Sequence, residues 1–140
     1  MSYLLDTNVV AELTTRPKPA PAVIEWARSV PATEHFLSVI TVAEIEAGVA
    51  ATADPLRRAA FDRVLSGVRA EYRGRIAVIG EREAAAYLAV HRRLKSLGAG
   101  IDPPDALIAA TAIANGWTLV SRNVRHLART GAAVLNPWEF

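Results

Sequence analysis

The strongest constraint on the fold of this chain is the regular alternation of short apolar segments with longer amphipathic segments. The short segments have the composition of buried strands, and the longer ones repeat apolar residues at helical spacing. Such alternation favours an α/β fold with a mainly parallel central sheet. No repeat or low-complexity segment interrupts the 140 residues, so we expect one domain over residues 1–140.

The predicted elements follow from this alternation and from local capping signals. Predicted strands are Tyr3–Leu5, His35–Ile40, Ile76–Ile79, Thr118–Ser121 and Val134–Leu135. Predicted helices are Val9–Leu13, Pro21–Ser29, a helix starting at Thr41, one from Pro55 towards Val68, Glu81–Leu97, Ala106–Asn115 and Val124–Arg129. In the helix Glu81–Leu97, helical spacing predicts a buried stripe of Ala84, Tyr87, Leu88, His91 and Leu94.

Composition excludes several classes of site. The chain has no cysteine, so it has no disulfide, no thiolate metal site and no cysteine nucleophile. Any metal ion must therefore be held by oxygen or imidazole ligands. The N-terminal segment lacks a basic region before its apolar run, and no apolar stretch is long enough to span a bilayer. We therefore expect a protein of the cytoplasm.

The charge of the chain says little about its partners. A formal net charge of +2, from 16 basic and 14 acidic residues, is too close to neutral to indicate nucleic-acid binding. The segment 57–75 is nevertheless rich in arginine: Arg57, Arg58, Arg63, Arg69, Arg73 and Arg75. It is either a solvated helix surface or a surface that contacts phosphates.

Polar side chains follow the predicted strands at points that a parallel sheet would bring together. Asp6 ends the first strand, and Asn123 directly follows the fourth. Glu44 and Asp105 lie in the first turns of two helices. Strand carboxyl ends and the helix starts after them share one edge of such a sheet, where ligands bind. We expect these residues to form a single site.

The chemistry of three neighbouring carboxylates favours a divalent cation. Carboxylates drawn together repel one another, and a bound cation relieves that repulsion. Hard oxygen ligands without nearby histidine or cysteine select Mg²⁺ or Mn²⁺ over zinc. Such a site suits phosphodiester hydrolysis, because the metal polarises phosphoryl oxygens and activates a bound water.

Each of these residues also has a purely structural interpretation. Glu44 stands three residues after Thr41, the spacing of a capping box. Asp105 suits the positive end of a helix dipole, Asp6 suits a turn or cap, and Asn123 suits an N-cap. These alternatives do not explain why all of them fall on one edge, but residue spacing alone leaves them open.

Five sequence blocks resemble the signature blocks of PIN-domain ribonucleases. They are Leu4-Leu5-Asp6-Thr7-Asn8-Val9-Val10, Thr41-Val42-Ala43-Glu44-Ile45, Asp105-Ala106-Leu107-Ile108-Ala109-Ala110-Thr111-Ala112, Leu119-Val120-Ser121-Arg122-Asn123 and Asn136-Pro137-Trp138. They occur in the family's order and cover essentially the whole chain. The likeness is strongest to the VapC toxins of bacterial toxin–antitoxin pairs, in particular the FitB-like subgroup.

The resemblance implies a three-layer α/β/α sandwich, RNA cleavage dependent on Mg²⁺ or Mn²⁺, a cognate antitoxin and a homodimer. It implies that Asp6, Glu44 and Asp105 are the catalytic acids, with Asp6 and Asp105 as metal ligands. Family members often carry aspartate at the fourth catalytic position, where this chain has Asn123. The neutral amide puts a second metal ion in doubt.

Two other functions compete with this interpretation. A phosphatase of the haloacid-dehalogenase type also begins with an apolar strand and an aspartate, but it needs a second aspartate where this chain has Asn8. A PIN-like fold that only binds a partner is the second alternative, and the retention of all three acids argues against it.

Overall fold

The computed structural model describes residues 1–140 and contains one five-stranded, all-parallel sheet. The strands are β1 (Tyr3–Leu5), β2 (His35–Ser38), β3 (Ile76–Ala77), β4 (Thr118–Val120) and β5 (Val134–Leu135). Their order across the sheet is β3-β2-β1-β4-β5. In register, Leu4 of β1 pairs with Phe36 of β2 on one side and Leu119 of β4 on the other. The first strand therefore occupies the centre of the sheet.

Seven helices connect and flank the strands. They are α1 (Thr7–Thr14), α2 (Pro21–Ser29), α3 (Val39–Ala51), α4 (Pro55–Glu71), α5 (Glu81–Ser96), α6 (Pro103–Asn115) and α7 (Val124–Ala128). Short 3₁₀ turns cover Ala32–Glu34 and Pro137–Glu139. None of the helices combines the length and the apolar character needed to cross a membrane.

The two faces of the sheet carry separate cores, because successive strand residues point to opposite sides. Leu5 belongs to a cluster with Val9, Trp26 and Val68, which come from α1, α2 and α4. Leu4 faces the other way and packs with residues of α6, β4 and α7. Helices thus cover both faces, which confirms the expected three-layer α/β/α sandwich.

The junction of β2 and α3 differs from the sequence prediction. The strand ends at Ser38, whose hydroxyl accepts a hydrogen bond from the Ile40 N–H and caps the helix. The helix therefore begins at Val39, and the predicted capping box of Thr41 and Glu44 is wrong. Val39 and Ile40 favour a strand by their β-branched side chains, but the serine cap and the packing of α3 override that preference.

The buried face of α5 also differs from the prediction. Val90 and Leu94 are buried and pack with Ala106 and Ala110 of α6. Leu88 is 59% exposed, and Ala84 and His91 also face solvent. Leu94 and the half-buried Tyr87, which packs against the same cluster, confirm part of the predicted stripe. The alanines of α5 satisfy the helical apolar spacing on more than one face, so periodicity alone places the stripe too far towards Ala84, Leu88 and His91.

Helix α6 runs through the interior and ends at Gly116, as predicted. Six of its residues are buried: Ala106, Ile108, Ala109, Ala110, Thr111 and Ala112. Gly116 has φ of 67° and closes the helix in the left-handed conformation, which side chains disfavour. Pro103 and Pro104 start the helix. This rigid element holds Asp105 in its first turn.

A buried histidine lies at the start of β2. The His35 ring stacks on Trp26 with centroids 5.4 Å apart, and its Nε2 has no hydrogen-bond partner. Burial lowers the pKa of His35, and the nearby Arg75 charge lowers this pKa further. The folded protein therefore binds a proton at His35 less readily than the unfolded chain does.

This histidine predicts an acid-sensitive stability. Above the unfolded pKa of about 6.5 the ring is neutral in both states, and below it the unfolded chain takes up the proton first. The free energy of unfolding should therefore fall as the pH drops from 7 to 5. Replacing His35 with phenylalanine should flatten this dependence in urea titrations at several pH values. His91→Phe, at an exposed position of α5, is the control and should retain the wild-type slope; an equal slope in His35→Phe contradicts the assignment.

Candidate active site

Asp6 lies at the carboxyl end of β1 and is 5% exposed. Its Oδ1 accepts a hydrogen bond of 2.8 Å from the Thr7 N–H, which makes Asp6 the N-cap of α1. Its Oδ2 accepts from the Ser121 hydroxyl at 2.7 Å and from the Asn8 side-chain amide at 3.3 Å. Both acceptor sites of Oδ2 are thus used, whereas Oδ1 keeps a free lone pair.

Ser121 and Asn8 connect Asp6 to the segment that follows β4. The Asn8 amide donates to the Ser121 hydroxyl at 3.2 Å, and Asn8 Oδ1 accepts from the Arg122 N–H at 3.4 Å. The Ser121 hydroxyl also accepts from the Asn123 N–H at 3.1 Å. The first turn of α1 therefore fixes this segment against the aspartate.

Glu44 lies on α3 and reaches towards the same edge. Its Oε1 accepts a hydrogen bond of 2.8 Å from the Thr7 hydroxyl, which lies 3.0 Å from the hydroxyl of buried Thr41. Thr41 therefore supports Thr7 instead of capping α3. Glu44 is therefore not part of a helix cap, and its carboxylate is held beside the first turn of α1.

Asp105 is half-buried in the first turn of α6, and no other side chain donates a hydrogen bond to it. Burial raises the pKa of the Asp105 carboxyl, and the negative charges of Asp6 and Glu44 raise this pKa further. The nearby His126 lowers it in part. The end of β1 and the start of α6 both lie at the carboxyl edge of the parallel sheet, and the charges of Asp6 and Glu44 act on Asp105 only from nearby, so we place the three acids at one edge.

Asn123 is the N-cap residue of α7, as its position suggested, but its side chain makes no capping hydrogen bond. The side chain is exposed. Only its backbone N–H is engaged, with Ser121. The capping interpretation of the Asn123 side chain is therefore wrong, and the amide is free to face a ligand.

Replacing Asn123 with alanine should have a small effect. No intramolecular hydrogen bond is lost, so the free energy of unfolding should change by less than about 0.5 kcal/mol. A neutral amide attracts a cation weakly, so the RNA cleavage that the family resemblance implies should fall less than about tenfold. Cleavage rates and melting curves of Asn123→Ala and wild type measure both quantities. If Asn123→Ala loses cleavage as completely as Asp105→Asn does, the prediction of a small effect is wrong.

The acids carry an uncompensated charge. None of the three ion pairs in the structure involves Asp6, Glu44 or Asp105. No three His, Cys, Asp or Glu side chains converge closely enough to hold a metal ion between them. Glu44 Oε2 and the Asp105 carboxylate are hard oxygen donors without a side-chain hydrogen bond, and this donor set fits a cation that takes one or two carboxylates and completes its shell with water, as Mg²⁺ usually does.

Three positions at this edge were not proposed as site residues from the sequence: Thr7, Asn8 and Ser121. Their side chains position Glu44 and Asp6 through the hydrogen bonds described above. The only signal was that each is a polar residue directly after a strand or beside Asp6, within the blocks of the family resemblance. Which acid each one contacts depends on the sheet order, which the sequence does not display.

Two arginines of the arginine-rich segment have partners within the chain. Arg75 donates to the carbonyls of Ala32 and His35, so it fastens β2 and β3 together. Arg69 pairs with Glu46 of α3 at 2.8 Å. At these two positions the arginines have structural partners, which favours the structural interpretation over phosphate contact.

Comparison with known proteins identifies the fold and relatives of similar length. The PIN domain model matches residues 3–133. A VapC ribonuclease of Sinorhizobium fredii is 34% identical over 97% of this chain and 97% of its own length. The toxin FitB of Neisseria gonorrhoeae is 35% identical over 96% of this chain and 97% of its own length.

A solved structure has the same fold as this chain over nearly its whole length. The crystal structure of FitAcB from Neisseria gonorrhoeae matches with a TM-score of 0.91 at 34% identity. It covers 99% of this chain and 99% of that chain. The all-parallel sheet and the helices around the acids are thus those of a known fold.

Proposed function

The chain belongs to the PIN-domain family, and from this premise we propose that it is a metal-dependent endoribonuclease, the toxin of a toxin–antitoxin pair. Its relatives are named as a ribonuclease and as a toxin. The observation that carries the proposal is the position of Asp6, Glu44 and Asp105 at one edge of the sheet, each without an ion-pair partner.

The cofactor proposed is Mg²⁺, with Mn²⁺ as a substitute. Asp6 would bind it through Oδ1, because two donors already occupy Oδ2. Asp105 would be the second protein ligand. The ion would supply Lewis-acid polarisation of the scissile phosphate and a bound water of lowered pKa.

The remaining residues orient the reactants. The Thr7 hydroxyl holds Glu44 through Oε1 and leaves Oε2 without a partner, so Oε2 can accept a proton from the attacking water. Ser121 and Asn8 keep the Asp6 carboxylate in one orientation. Such supporting contacts matter because misplacement of a reacting group slows catalysis strongly.

The direct test is RNA cleavage by the purified protein. A labelled single-stranded RNA should be cut in Mg²⁺ or Mn²⁺ and left intact in excess EDTA. Asp105→Asn, purified in the same way, controls for contaminating nuclease. Undiminished cleavage in EDTA contradicts the metal-dependent mechanism. If neither wild type nor Asp105→Asn cleaves RNA in Mg²⁺, the result supports the partner-binding alternative instead.

The proposed partners are an RNA substrate, a cognate antitoxin and a second copy of this chain, within the cytoplasm. For the homodimer, α5 and α6 offer exposed apolar side chains outside the site, including Leu88 at 59% and Ile113 at 38% exposure. Light scattering should report twice the 15.0 kDa of one chain. A monomer at tens of micromolar counts against the dimer.

A further inference from the structure

We propose that Arg122 binds a phosphate of the RNA beside the scissile one, and that Trp138 positions its guanidinium for this contact. This inference rests on the proposed function, because it concerns the same substrate. It adds an arginine, which stays charged at physiological pH, beside the acids Asp6, Glu44 and Asp105.

The backbone of Arg122 is fixed close to the acids. Its N–H donates to Asn8 Oδ1 at 3.4 Å, and the Asn8 amide in turn donates to Asp6 Oδ2 at 3.3 Å. The neighbouring Ser121 is fully buried and hydrogen-bonded to Asp6. The Asn8 side chain therefore links the Arg122 backbone to Asp6, the proposed metal ligand. The Arg122 side chain itself is exposed.

The guanidinium of Arg122 rests on an aromatic ring. Its Cζ lies 5.0 Å from the centroid of the Trp138 ring, a cation–π contact. Trp138 is held in place by its surroundings. Its backbone N–H donates to Asn136 Oδ1 at 3.0 Å, and the preceding Pro137 is buried. The Trp138 ring packs against the hydrophobic cluster that includes residues of α1 and α2. The tryptophan thus offers a fixed support for a charged side chain.

No carboxylate neutralises this guanidinium, although acids lie nearby. Arg122 takes part in none of the ion pairs, and its side chain makes no hydrogen bond within the chain. Arg75 contrasts with it, because the guanidinium of Arg75 binds backbone carbonyls. Stacking leaves the N–H groups at the rim of Arg122 available to an external anion.

A phosphodiester is the anion that suits this arrangement. Arginine presents paired N–H donors that match phosphate oxygens, and stacking pre-orients them. An RNA strand approaching three carboxylates is repelled unless positive charge lies along its path. Arg122 sits at the border of the acidic edge, where it can offset this repulsion for the adjoining nucleotide.

The test is equilibrium binding of a fluorescein-labelled single-stranded RNA in EDTA at several salt concentrations, where cleavage does not interfere. Each phosphate contact on a single strand contributes about 0.7 to the slope of log affinity against log salt. Arg122→Ala should lower that slope by about 0.7 and weaken binding several-fold. Arg122→Lys should keep the slope but bind more weakly than wild type, since lysine keeps the charge without the planar fork.

Arg28→Ala is the matched control, because Arg28 is an exposed arginine in the last turn of α2, ahead of the amino end of β2. It should bind RNA with the wild-type slope. Trp138→Leu should reduce affinity while keeping the slope, because the charge remains but is no longer supported. A melting curve confirms that each variant is folded.

If Arg122→Ala leaves the slope of log affinity against log salt unchanged, the inference is overturned. Equal losses of RNA affinity in Arg122→Ala and Arg28→Ala overturn it as well. If Arg122→Ala weakens only the complex with an acidic protein partner and leaves the RNA slope unchanged, the residue serves that partner and the inference is wrong. These outcomes are separable from the proposed function, since wild-type cleavage in Mg²⁺ is measured independently of binding in EDTA.

Discussion

Replacing Asp105 with asparagine is expected to reduce RNA cleavage more than 100-fold without lowering the melting temperature in EDTA. The carboxylate accepts no side-chain hydrogen bond, and burial and the charges of Asp6 and Glu44 disfavour its ionised form. The amide removes that repulsion, although it loses a helix-dipole interaction of about 0.3–1 kcal/mol. Losing a ligand should cost more than the roughly 10–100-fold known for supporting residues of metal sites.

Asp102→Asn is the control for this variant, because Asp102 is exposed at the start of the same helix and makes no capping hydrogen bond. It should cleave RNA at nearly the wild-type rate. Added Mg²⁺ should raise the melting temperature of wild type and of Asp102→Asn more than that of Asp105→Asn, because only the folded site binds the ion. An equal Mg²⁺ response in all three proteins contradicts a ligand role for Asp105.

Asp6→Asn should abolish cleavage equally but should also destabilise the metal-free protein. The Asp6 carboxylate is buried and accepts hydrogen bonds from Thr7, Ser121 and Asn8. The asparagine amide would present N–H donors where Oδ2 now accepts, and leaving buried donors unsatisfied costs about 1–3 kcal/mol. Melting curves in EDTA should therefore separate Asp6→Asn from Asp105→Asn, which share the loss of activity.

The two variants test different roles of similar residues. If Asp6→Asn has the same melting temperature as wild type in EDTA, the Ser121 and Asn8 contacts do not stabilise the folded state as described. If it melts lower but still cleaves RNA, Asp6 is a structural cap and the proposed metal site is wrong. A lower melting temperature together with lost cleavage agrees with both roles.

The placement of Asp6 and Asp105 could be predicted because it depends on local signals. An apolar run that ends at an acid marks a strand end, and Pro103 and Pro104 mark a helix start. Parallel alternation then brings those ends to one edge. No long-range contact had to be known for either residue.

Glu44 shows where such reasoning stops. Its spacing from Thr41 matched a capping box, yet the helix starts at Val39 and Glu44 instead accepts a hydrogen bond from Thr7. That contact joins residues 37 positions apart. It depends on β1 lying beside β2, which local patterns do not specify. The roles of Asn8 and Ser121 depend likewise on β4 lying beside β1.

The central place of β1 has a consequence for biosynthesis. Its neighbour β2 follows early in the chain, but its other neighbour, β4, begins only at Thr118. The hydrogen bond between Ser121 and Asp6 spans 115 positions. A nascent chain therefore cannot complete the proposed active site until nearly all of it has left the ribosome, since domains fold as their contacts emerge. The proposed ribonuclease stays inactive until its translation is almost finished.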